Sequence, residues 1–319
     1  MEKSQDNSQK STISVIIPTY NGAETLRELL AALGQQTVHC DEVLVVDSSS
    51  TDRTLLIARD FGAETIVIPH EEFDHGGTRS MAARQVKGDI LVFMTQDAIP
   101  DDNNALEKLV APILDDSSIG VSYGRQLPFY DASVFAAHLR RFNYPEESEV
   151  RSFEDKERLG IKTVFVSNSF AAYPKKLLAE VDYFQSDLIF GEDTCAAGRL
   201  LKQGYGVAYA ADARVHHSHN YSWRQEFQRS FDIGVLHTSE QWLLKTFGRA
   251  EGQGMRYVRS EIGALWQQDE MILLPSCLCR NILKLLGYRL GRIFRLLPKK
   301  IVPLLSLHSS WWSKEMDRS

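Results

Sequence analysis

Residues 13–22 of this 319-residue chain read ISVIIPTYNG, a run of mostly β-branched apolar residues that ends in a proline and a glycine turn. Similar apolar runs occupy 42–46, 65–68, 90–94 and 119–123, and stretches with a helical spacing of apolar residues lie between them. Short, nearly continuous apolar runs are typical of strands that helices cover on both faces. The alternation predicts an α/β fold with a Rossmann-like, mostly parallel sheet flanked by helices.

Polar residues follow the predicted strands at the sheet edge where open α/β folds bind ligands. Pro18, Thr19 and Tyr20 end the first strand, where they form either a simple turn or a loop with its amides near a ligand. Asp47 directly follows the second strand and is positioned to accept a hydrogen bond from a nucleobase or a ribose hydroxyl. This edge therefore carries candidate residues for binding a nucleotide.

Gly76, Gly77 and Arg79 lie at the start of the third predicted helix. Two glycines at a helix N-terminus allow a phosphate to approach the backbone, and an arginine beside them supplies a forked cation. The alternative is a glycine turn with a solvated arginine. Neither a P-loop nor a dinucleotide-binding fingerprint follows a strand, which argues against those two kinds of nucleotide site.

Two further groups of polar residues indicate metal and acid–base chemistry. Asp97 follows the fourth predicted strand, and a carboxylate at this edge suits Mg²⁺ or Mn²⁺ on a diphosphate. His217 and His219 alternate along an extended segment, so their side chains project to one side and indicate a metal or phosphate contact rather than a solvated surface. Glu192 and Asp193 precede a predicted helix, where two acids either cap the helix or include a general base.

Composition narrows the class of protein further. The chain has 43% hydrophobic and 24% charged residues, as globular proteins do. Residues 1–11 are polar, which predicts a disordered N-terminus without the apolar core of a secretory signal. The four cysteines lack zinc or redox spacing, which favours reduced thiols and a cytoplasmic protein. The polar segment 141–158 predicts a loop or a mobile lid.

The chain shows helical spacing from Trp223 almost to its end. The net charge is −6, yet 277–303 contains seven basic residues and no acids, and Trp311 and Trp312 follow. Such a basic amphipathic segment either lies in a membrane interface or packs on the catalytic domain or on a second subunit of a homo-oligomer. No uninterrupted apolar run reaches the roughly 18 residues that a membrane span needs, and the acidic body argues against nucleic-acid binding.

Taken in order, these motifs resemble family 2 of the nucleotide-sugar glycosyltransferases, which have the GT-A fold. The resemblance covers 12–220 as a GT-A catalytic domain and leaves 221–319 as a helical C-terminal region. Within the family, the segments 73–79, 95–98 and 217–221 are similar to the bacterial rhamnosyltransferases. That similarity implies dTDP-L-rhamnose as the donor.

The resemblance also implies a role for each candidate residue. Asp193 is the implied catalytic base, and Asp97 is the implied ligand of a divalent metal, Mg²⁺ or Mn²⁺, with His217 or His219. The family's metal motif usually carries an aspartate where this chain has Thr95, which leaves the ribose contact open, and Gln96 is a candidate for that role. The residues assigned to the nucleotide-sugar, with Arg79 near its diphosphate, are Pro18, Thr19, Tyr20, Asp47, Gly76, Gly77, Arg79, Gln96 and Glu192.

The implied reaction is a single inverting displacement in which Asp193 deprotonates an acceptor hydroxyl. The implied acceptor is a glycan or lipid-linked glycan for surface polysaccharide, met at the cytoplasmic face of the inner membrane. A UDP- or GDP-sugar donor, a sugar nucleotidyltransferase and a non-catalytic subunit that binds nucleotide-sugar or glycan remain alternatives. The nucleotidyltransferase needs a basic, glycine-rich loop after the first strand, and residues 21–24 lack that basic character.

Overall fold

The computed structural model describes residues 11–249 and 252–317, so the predicted disordered segment 1–11 lies outside the described residues except for Ser11. The strands form one mixed sheet. They are β1 (Ile13–Thr19), β2 (Glu42–Asp47), β3 (Glu64–Val67), β4 (Ile90–Met94), β5 (Ile99–Pro100), β6 (Ile119–Leu127), β7 (Glu149–Arg151), β8 (Phe170–Pro174) and β9 (Gly206–His216). Their order across the sheet is β3-β2-β1-β4-β8-β6-β9-β5, and β7 pairs with β9.

The half of the sheet formed early in the chain agrees with the alternating sequence pattern. β1 pairs in parallel with β2 and with β4, and β2 pairs in parallel with β3. Side chains of β1 alternate between two cores, since Ile16 packs on one face of the sheet while Val15 and Ile17 pack on the other. The expected α/β sheet, covered on both faces, is therefore confirmed.

The other half of the sheet is mixed, whereas the alternation predicts mostly parallel pairing. β8 runs antiparallel to both β4 and β6, and β9 is parallel to β6 but antiparallel to β5 and β7. Apolar periodicity reports whether a strand is buried and carries no information on its direction. Direction depends on how the chain returns between strands, which only the tertiary structure decides.

The segment 141–158 is not the loop or lid that its polarity predicts. It contains the end of a helix, the strand β7 and a short helix. Arg151 of β7 is 3% exposed, and its guanidinium donates to the Tyr123 hydroxyl at 2.9 Å and to the Phe165 carbonyl at 2.7 Å. Arg151 therefore anchors this mostly exposed polar segment to the domain, because its charge has buried partners.

Helices cover the sheet and form the expected helical C-terminal region. The helices of the first 220 residues are α1 (Ala23–Leu33), α2 (Thr54–Asp60), α3 (His75–Gln85), α4 (Ala105–Asp115), α5 (Val134–Asn143), α6 (Lys156–Leu159), α7 (Lys175–Glu180) and α8 (Glu192–Lys202). Those that follow are α9 (Trp223–Ser239), α10 (Gln241–Phe247), α11 (Gln253–Gln267), α12 (Leu274–Arg292), α13 (Val302–Leu305) and α14 (Ser309–Asp317). The division of the chain at 220 stays a prediction.

Helix α12 packs closely along α9 through glycines. A Cβ atom on Gly291 would lie 2.0 Å from the Phe231 carbonyl oxygen, and one on Gly234 would lie 2.4 Å from the Tyr288 carbonyl oxygen. The helical segment Met271–Arg292 is, by length and composition alone, long and apolar enough to span a membrane. The sequence still contains no apolar run of that length, because Arg280, Lys284, Arg289 and Arg292 interrupt this segment.

Candidate active site

A cleft of about 580 Å³ opens where the strand ends meet the helices α5 and α9. Six of the residues singled out from the sequence line it, namely Arg79, Asp97, Glu192, Asp193, His217 and His219. The remaining candidates do not line this cleft. They are Pro18, Thr19, Tyr20, Asp47, Gly76, Gly77 and Gln96. The structure therefore divides the predicted site into two groups.

Asp97, His217 and His219 form a cluster whose ligand atoms all lie within 4.8 Å of one another. Nε2 of His217 is 3.4 Å from one carboxylate oxygen of Asp97, and Nε2 of His219 is 3.8 Å from the other. The short strand β5 follows Asp97 and pairs with the end of β9 through Ile99 and His216. This pairing brings the three side chains together across 120 positions of sequence.

The charge states in this cluster suit a divalent cation. Burial alone would raise the pKa of Asp97, but the hydrogen bond and charge of His217, with the charge of His219, hold that pKa well below its ordinary range. Burial, and then the neighbouring His217, lowers the pKa of His219 to about 4. An anionic carboxylate beside a neutral imidazole is a donor set that fits a divalent metal.

Gln126 of β6 orients His217 and was not found from the sequence. Its side-chain oxygen lies 3.1 Å from Nδ1 of His217 and accepts from the Arg140 guanidinium at 2.6 Å, while its amide nitrogen donates to the Ser167 hydroxyl at 2.9 Å. Because that oxygen can only accept, Nδ1 of His217 carries a proton, and Nε2 is the nitrogen that faces the cluster. A single buried glutamine inside a strand carries no local signal of this role.

Glu192 and Asp193 begin α8, after Gly191 with φ +82°. Glu192 forms a buried ion pair with Arg79 at 3.1 Å, and the Asn168 side chain donates to the same carboxylate at 3.2 Å. Burial and the coulombic attraction of Arg79 act in opposite directions on Glu192, and its pKa lies below the ordinary value. Glu192 is therefore ionised at neutral pH.

Asp193 has the opposite environment, although it is the next residue. Burial, and then the negative charge of Glu192, raises the pKa of Asp193 to about 7. The Asn168 and Thr194 amides donate to its two oxygens at 3.1 and 2.7 Å, which fixes the orientation of the carboxyl group. A carboxylate with a raised pKa at the edge of a cleft is well matched to accepting a proton at neutral pH.

The start of α3 is packed inside the protein. A Cβ atom on Gly76 would lie 1.8 Å from the Gln185 carbonyl oxygen, and the amide of Gly77 donates to the Asp74 carboxylate that caps the helix. The two glycines thus allow a close approach of the protein's own backbone. Their contact with a phosphate, predicted from the glycine pattern, stays a prediction.

The residues predicted to hold the nucleoside form a separate hydrogen-bonded unit at the ends of β1 and β2. Asp47 is fully buried and accepts from the Thr19 hydroxyl at 2.9 Å. The Gln96 amide bonds both the backbone nitrogen and the carbonyl of Tyr20, at 3.0 and 3.2 Å. The Tyr20 ring is half exposed beside the ring of His70, with centroids 4.2 Å apart. Pro18 lies within β1, opposite Val46 of β2.

Comparison with known proteins shows the family and the fold of this chain. The sequence model of a family described as Glycosyl transferase family 2 matches residues 14–182. The chain is 43% identical over 303 residues to the O-antigen chain rhamnosyltransferase RfbN of Salmonella typhimurium, covering 94% of this chain and 96% of that protein. It is 42% identical over 304 residues to the O-antigen chain rhamnosyltransferase WbaN of Salmonella anatum, covering 95% and 96%.

Among solved structures, the fold is similar to that of the mannosyltransferase PcManGT from Pyrobaculum calidifontis in complex with GDP-Man and Mn²⁺. The TM-score is 0.57 and the sequence identity is 18%, and the match covers 98% of this chain and 87% of that one. It is also similar to residues 1–349 of TarS from S. aureus, with a TM-score of 0.53 and 18% identity over 89% and 91% of the two chains. At such identities the likeness establishes the fold alone. With the family match, it shows that this chain is a glycosyltransferase that belongs to glycosyl transferase family 2 and has the GT-A fold.

Proposed function

We propose that this glycosyltransferase transfers L-rhamnose from dTDP-L-rhamnose to a hydroxyl of a glycan acceptor in surface polysaccharide synthesis, with inversion at the anomeric carbon. The observation that carries the reaction type is the presence, in one cleft, of Asp193 with its raised pKa and of the cluster of Asp97, His217 and His219. The choice of rhamnose is supported by the names of two relatives that match nearly the whole chain.

In this proposal Asp193 is the general base. Its carboxylate accepts the proton of the acceptor hydroxyl as that oxygen attacks the anomeric carbon and the bond to the nucleoside diphosphate breaks. The Asn168 and Thr194 amides hold the carboxylate in one orientation. Ionised Glu192 beside it disfavours a second negative charge, which makes Asp193 a stronger base than an ordinary aspartate.

Asp97, His217 and His219 are the proposed ligands of a divalent cation. When bound, Mn²⁺ or Mg²⁺ would stabilise the negative charge that builds up on the leaving diphosphate. Imidazole nitrogens suit Mn²⁺ better than Mg²⁺, which strongly prefers oxygen ligands. We therefore propose Mn²⁺ as the better fit to this donor set.

The hydrogen-bonded unit of Pro18, Thr19, Tyr20, Asp47 and Gln96 is the proposed site of the nucleoside. The half-exposed Tyr20 ring offers an apolar face for a base, and Gln96 clamps the backbone that carries this ring. In this proposal Gln96 acts on the nucleoside through Tyr20, since its amide is already bonded to that residue at both ends.

The donor is tested by thermal stabilisation of the purified protein with dTDP, UDP, GDP and their sugar conjugates, each with and without Mn²⁺ or Mg²⁺. A ligand at about 100 times its dissociation constant stabilises a protein by roughly 2.7 kcal/mol. Metal-dependent stabilisation selective for dTDP and dTDP-rhamnose is the expected result. Selectivity for UDP or GDP would overturn the donor, and the absence of any response would favour a non-catalytic subunit.

We also propose that the enzyme works at the cytoplasmic face of the inner membrane, in contact with the bilayer, where it meets a lipid-linked glycan acceptor. Between 271 and 313 the sequence contains no acidic residue, so two copies of this surface would repel each other whereas anionic lipids would attract it. Helix α12 and the residues just after it expose large apolar side chains, namely Leu278, Ile282, Leu285, Leu286, Ile293 and Leu296.

The membrane contact is tested by sedimentation with vesicles of phosphatidylglycerol and phosphatidylcholine. Replacing Ile282 or Leu285 by glutamate removes a buried apolar group from the bilayer and adds a repelled charge, so binding should fall roughly tenfold or more per substitution. Leu56→Glu on α2 and Leu114→Glu on α4 alter equally exposed leucines elsewhere and are matched controls. Unchanged vesicle binding would overturn the proposal. If the wild-type protein is a dimer and Leu285→Glu is a monomer, this surface is a subunit contact instead.

A further inference from the structure

Four cationic side chains line the cleft, and they differ in burial and in their partners. The residues are Arg79, Arg140, Lys162 and Arg229. The side chain of Arg79 is 6% exposed and is paired with Glu192 at 3.1 Å, and Arg140 is buried with its guanidinium on Gln126 at 2.6 Å. The ammonium group of Lys162 lies 4.8 Å from the centroid of the Phe142 ring.

Arg229 of α9 is the only one of these four that is exposed, since Lys162 is half-buried and the other two are buried. It makes no ion pair with any residue in the described ranges 11–249 and 252–317. Its guanidinium lies 5.7 Å from the centroid of the Tyr221 ring, which in turn is 5.5 Å from the ring of His219. Arg229 therefore presents free N–H donors to the cleft, close to the proposed metal ligands.

We infer that Arg229 contacts the diphosphate of the donor and stabilises it as it leaves, an inference that rests on the proposed function of this cleft as the donor site. A diphosphate needs a cation with free donors in a suitable geometry, and a guanidinium bonds phosphate oxygens in pairs. This inference assigns to Arg229 of α9 the diphosphate contact that the sequence pattern indicates for Arg79.

Arg79 is poorly placed to take the same role because its charge is already balanced. If Arg79 turned to a phosphate, Glu192 would remain as an unpaired charge in a buried site, which is unfavourable. Loss of that pair would also remove the partner that keeps Glu192 ionised beside Asp193. Arg229 binds an anion without breaking an existing ion pair. Arg79 thus acts as a positioning residue for Glu192 and Asp193.

The test is a thermodynamic cycle that combines a change in the protein with a change in the ligand. The affinities of the wild-type protein and of Arg229→Ala are measured by calorimetry for dTMP and for dTDP, with Mn²⁺ present. Because only dTDP carries the second phosphate, we expect the variant to lose roughly 10- to 100-fold in affinity for dTDP and little for dTMP. Arg229→Lys should recover part of the loss, since it restores the charge without the fork.

Arg224→Ala is the matched control, since Arg224 is an exposed arginine of the same helix that does not line the cleft. It should bind both ligands as the wild type does. An equal loss of dTMP and dTDP affinity in Arg229→Ala would indicate a structural role and overturn the inference, as would undiminished dTDP affinity.

The cycle also separates this inference from the choice of donor. If the wild-type protein prefers UDP or GDP, the proposed donor fails, and the same cycle is run with UMP and UDP or with GMP and GDP. The second phosphate is common to all three nucleotides, so the role of Arg229 is measured in each case. A wild-type protein that gains no affinity from the second phosphate of any of them overturns the inference.

Discussion

The two walls of the cleft are held in place by different forces. On one wall, Asp97, Asp193 and His217 follow strand ends or begin a helix, so the hydrogen-bonded backbone positions them. On the other wall, Arg140 and Arg229 project from α5 and α9, which side-chain packing and buried charges position. The groups proposed for bond making are on the first wall, which the backbone holds, and the exposed cation Arg229 is on the second, which side-chain packing holds.

Buried polar contacts tie the helical wall together. Glu261 of α11 is fully buried and accepts from the Tyr257 hydroxyl at 2.8 Å and from the Asn281 side chain at 2.6 Å. Glu226 of α9 pairs with Arg280 of α12 at 3.0 Å. Such side-chain contacts hold together helices that are not joined by backbone hydrogen bonds. A single substitution removes such a contact, whereas it leaves the backbone hydrogen bonds of a sheet in place. We therefore expect substitutions on the backbone-held wall to reduce catalysis most, and substitutions on the packed wall to affect mainly the stability of the fold.

The largest effect is expected from Asp193→Asn on the backbone-held wall. Loss of the general base should lower kcat by about 10²- to 10⁴-fold while leaving the affinity for dTDP near that of the wild type. Steady-state kinetics and calorimetry on the same sample check both halves. Asp212→Asn alters an exposed acid of β9 and should retain activity. Substantial turnover by Asp193→Asn would mean that another group accepts the proton.

Substitution of the proposed metal ligands should have the next largest effect. Asp97→Asn removes the negative charge of the cluster and His217→Ala removes one imidazole, so the Mn²⁺ concentration that gives half-maximal activity should rise by roughly 100-fold or more. A metal titration of activity checks this. His216→Ala is a control, since His216 adjoins the cluster but bonds Asp101 at 2.8 Å. An unchanged metal requirement in both variants would exclude this cluster as the metal site.

An intermediate effect is expected from Gln126→Leu, which leaves all three proposed ligands in place. Without the Gln126 oxygen, Nδ1 of His217 loses its acceptor, and the affinity for Mn²⁺ should fall by about 10- to 100-fold. Ser167→Ala, which removes only the partner of the Gln126 amide nitrogen, should have a smaller effect. Wild-type metal affinity in a folded Gln126→Leu protein would contradict the orienting role.

The pH dependence of kcat separates the two acids that begin α8. Burial, and then Glu192, raises the pKa of Asp193 to about 7, so the active, deprotonated fraction is lost as the pH falls through about 7. Glu192→Gln removes the negative charge and should shift this acid limb to lower pH. A pH profile with no acid limb between pH 5 and 8 would be inconsistent with the raised pKa.

The smallest effect on catalysis and metal binding is expected from a substitution in the packed wall. Gly291→Ala places a Cβ 2.0 Å from the Phe231 carbonyl oxygen and should destabilise the fold by about 1–3 kcal/mol in urea unfolding. Gly263→Ala in α11, where the added atom meets nothing within 4 Å, should be neutral or stabilising by about 0.5–1 kcal/mol. Metal affinity should survive both changes. Equal stability of the two variants would show that α9 and α12 are not closely packed.

The motifs on the backbone-held wall could be found from the sequence because each directly follows or precedes a regular element. Asp97 comes three residues after β4, and the pair Glu192 and Asp193 begins α8, so strand and helix prediction already places them at the sheet edge. The family and the GT-A fold followed from the order of these motifs and are confirmed. Their individual roles remain predictions that the experiments above address.

Contacts between distant segments could not be predicted in the same way. The ion pair of Arg79 with Glu192 joins residues 113 positions apart, and no local pattern distinguishes it from a free arginine beside a phosphate. Gln126 and Arg229 likewise gain their roles from neighbours on other elements. The direction of β8 and the order in the segment 141–158 also depended on how the chain returns.

The sequence by itself determined the layered α/β fold, the helical C-terminal region and the candidate acids and histidines, because local periodicity and chain order encode burial and element ends. Only the tertiary structure decided which cation is free and which is paired, which glycines pack against backbone, and which glutamine orients a histidine. These are pairings between residues far apart in the chain. Their free energies depend on distance and burial in space, which sequence spacing does not specify.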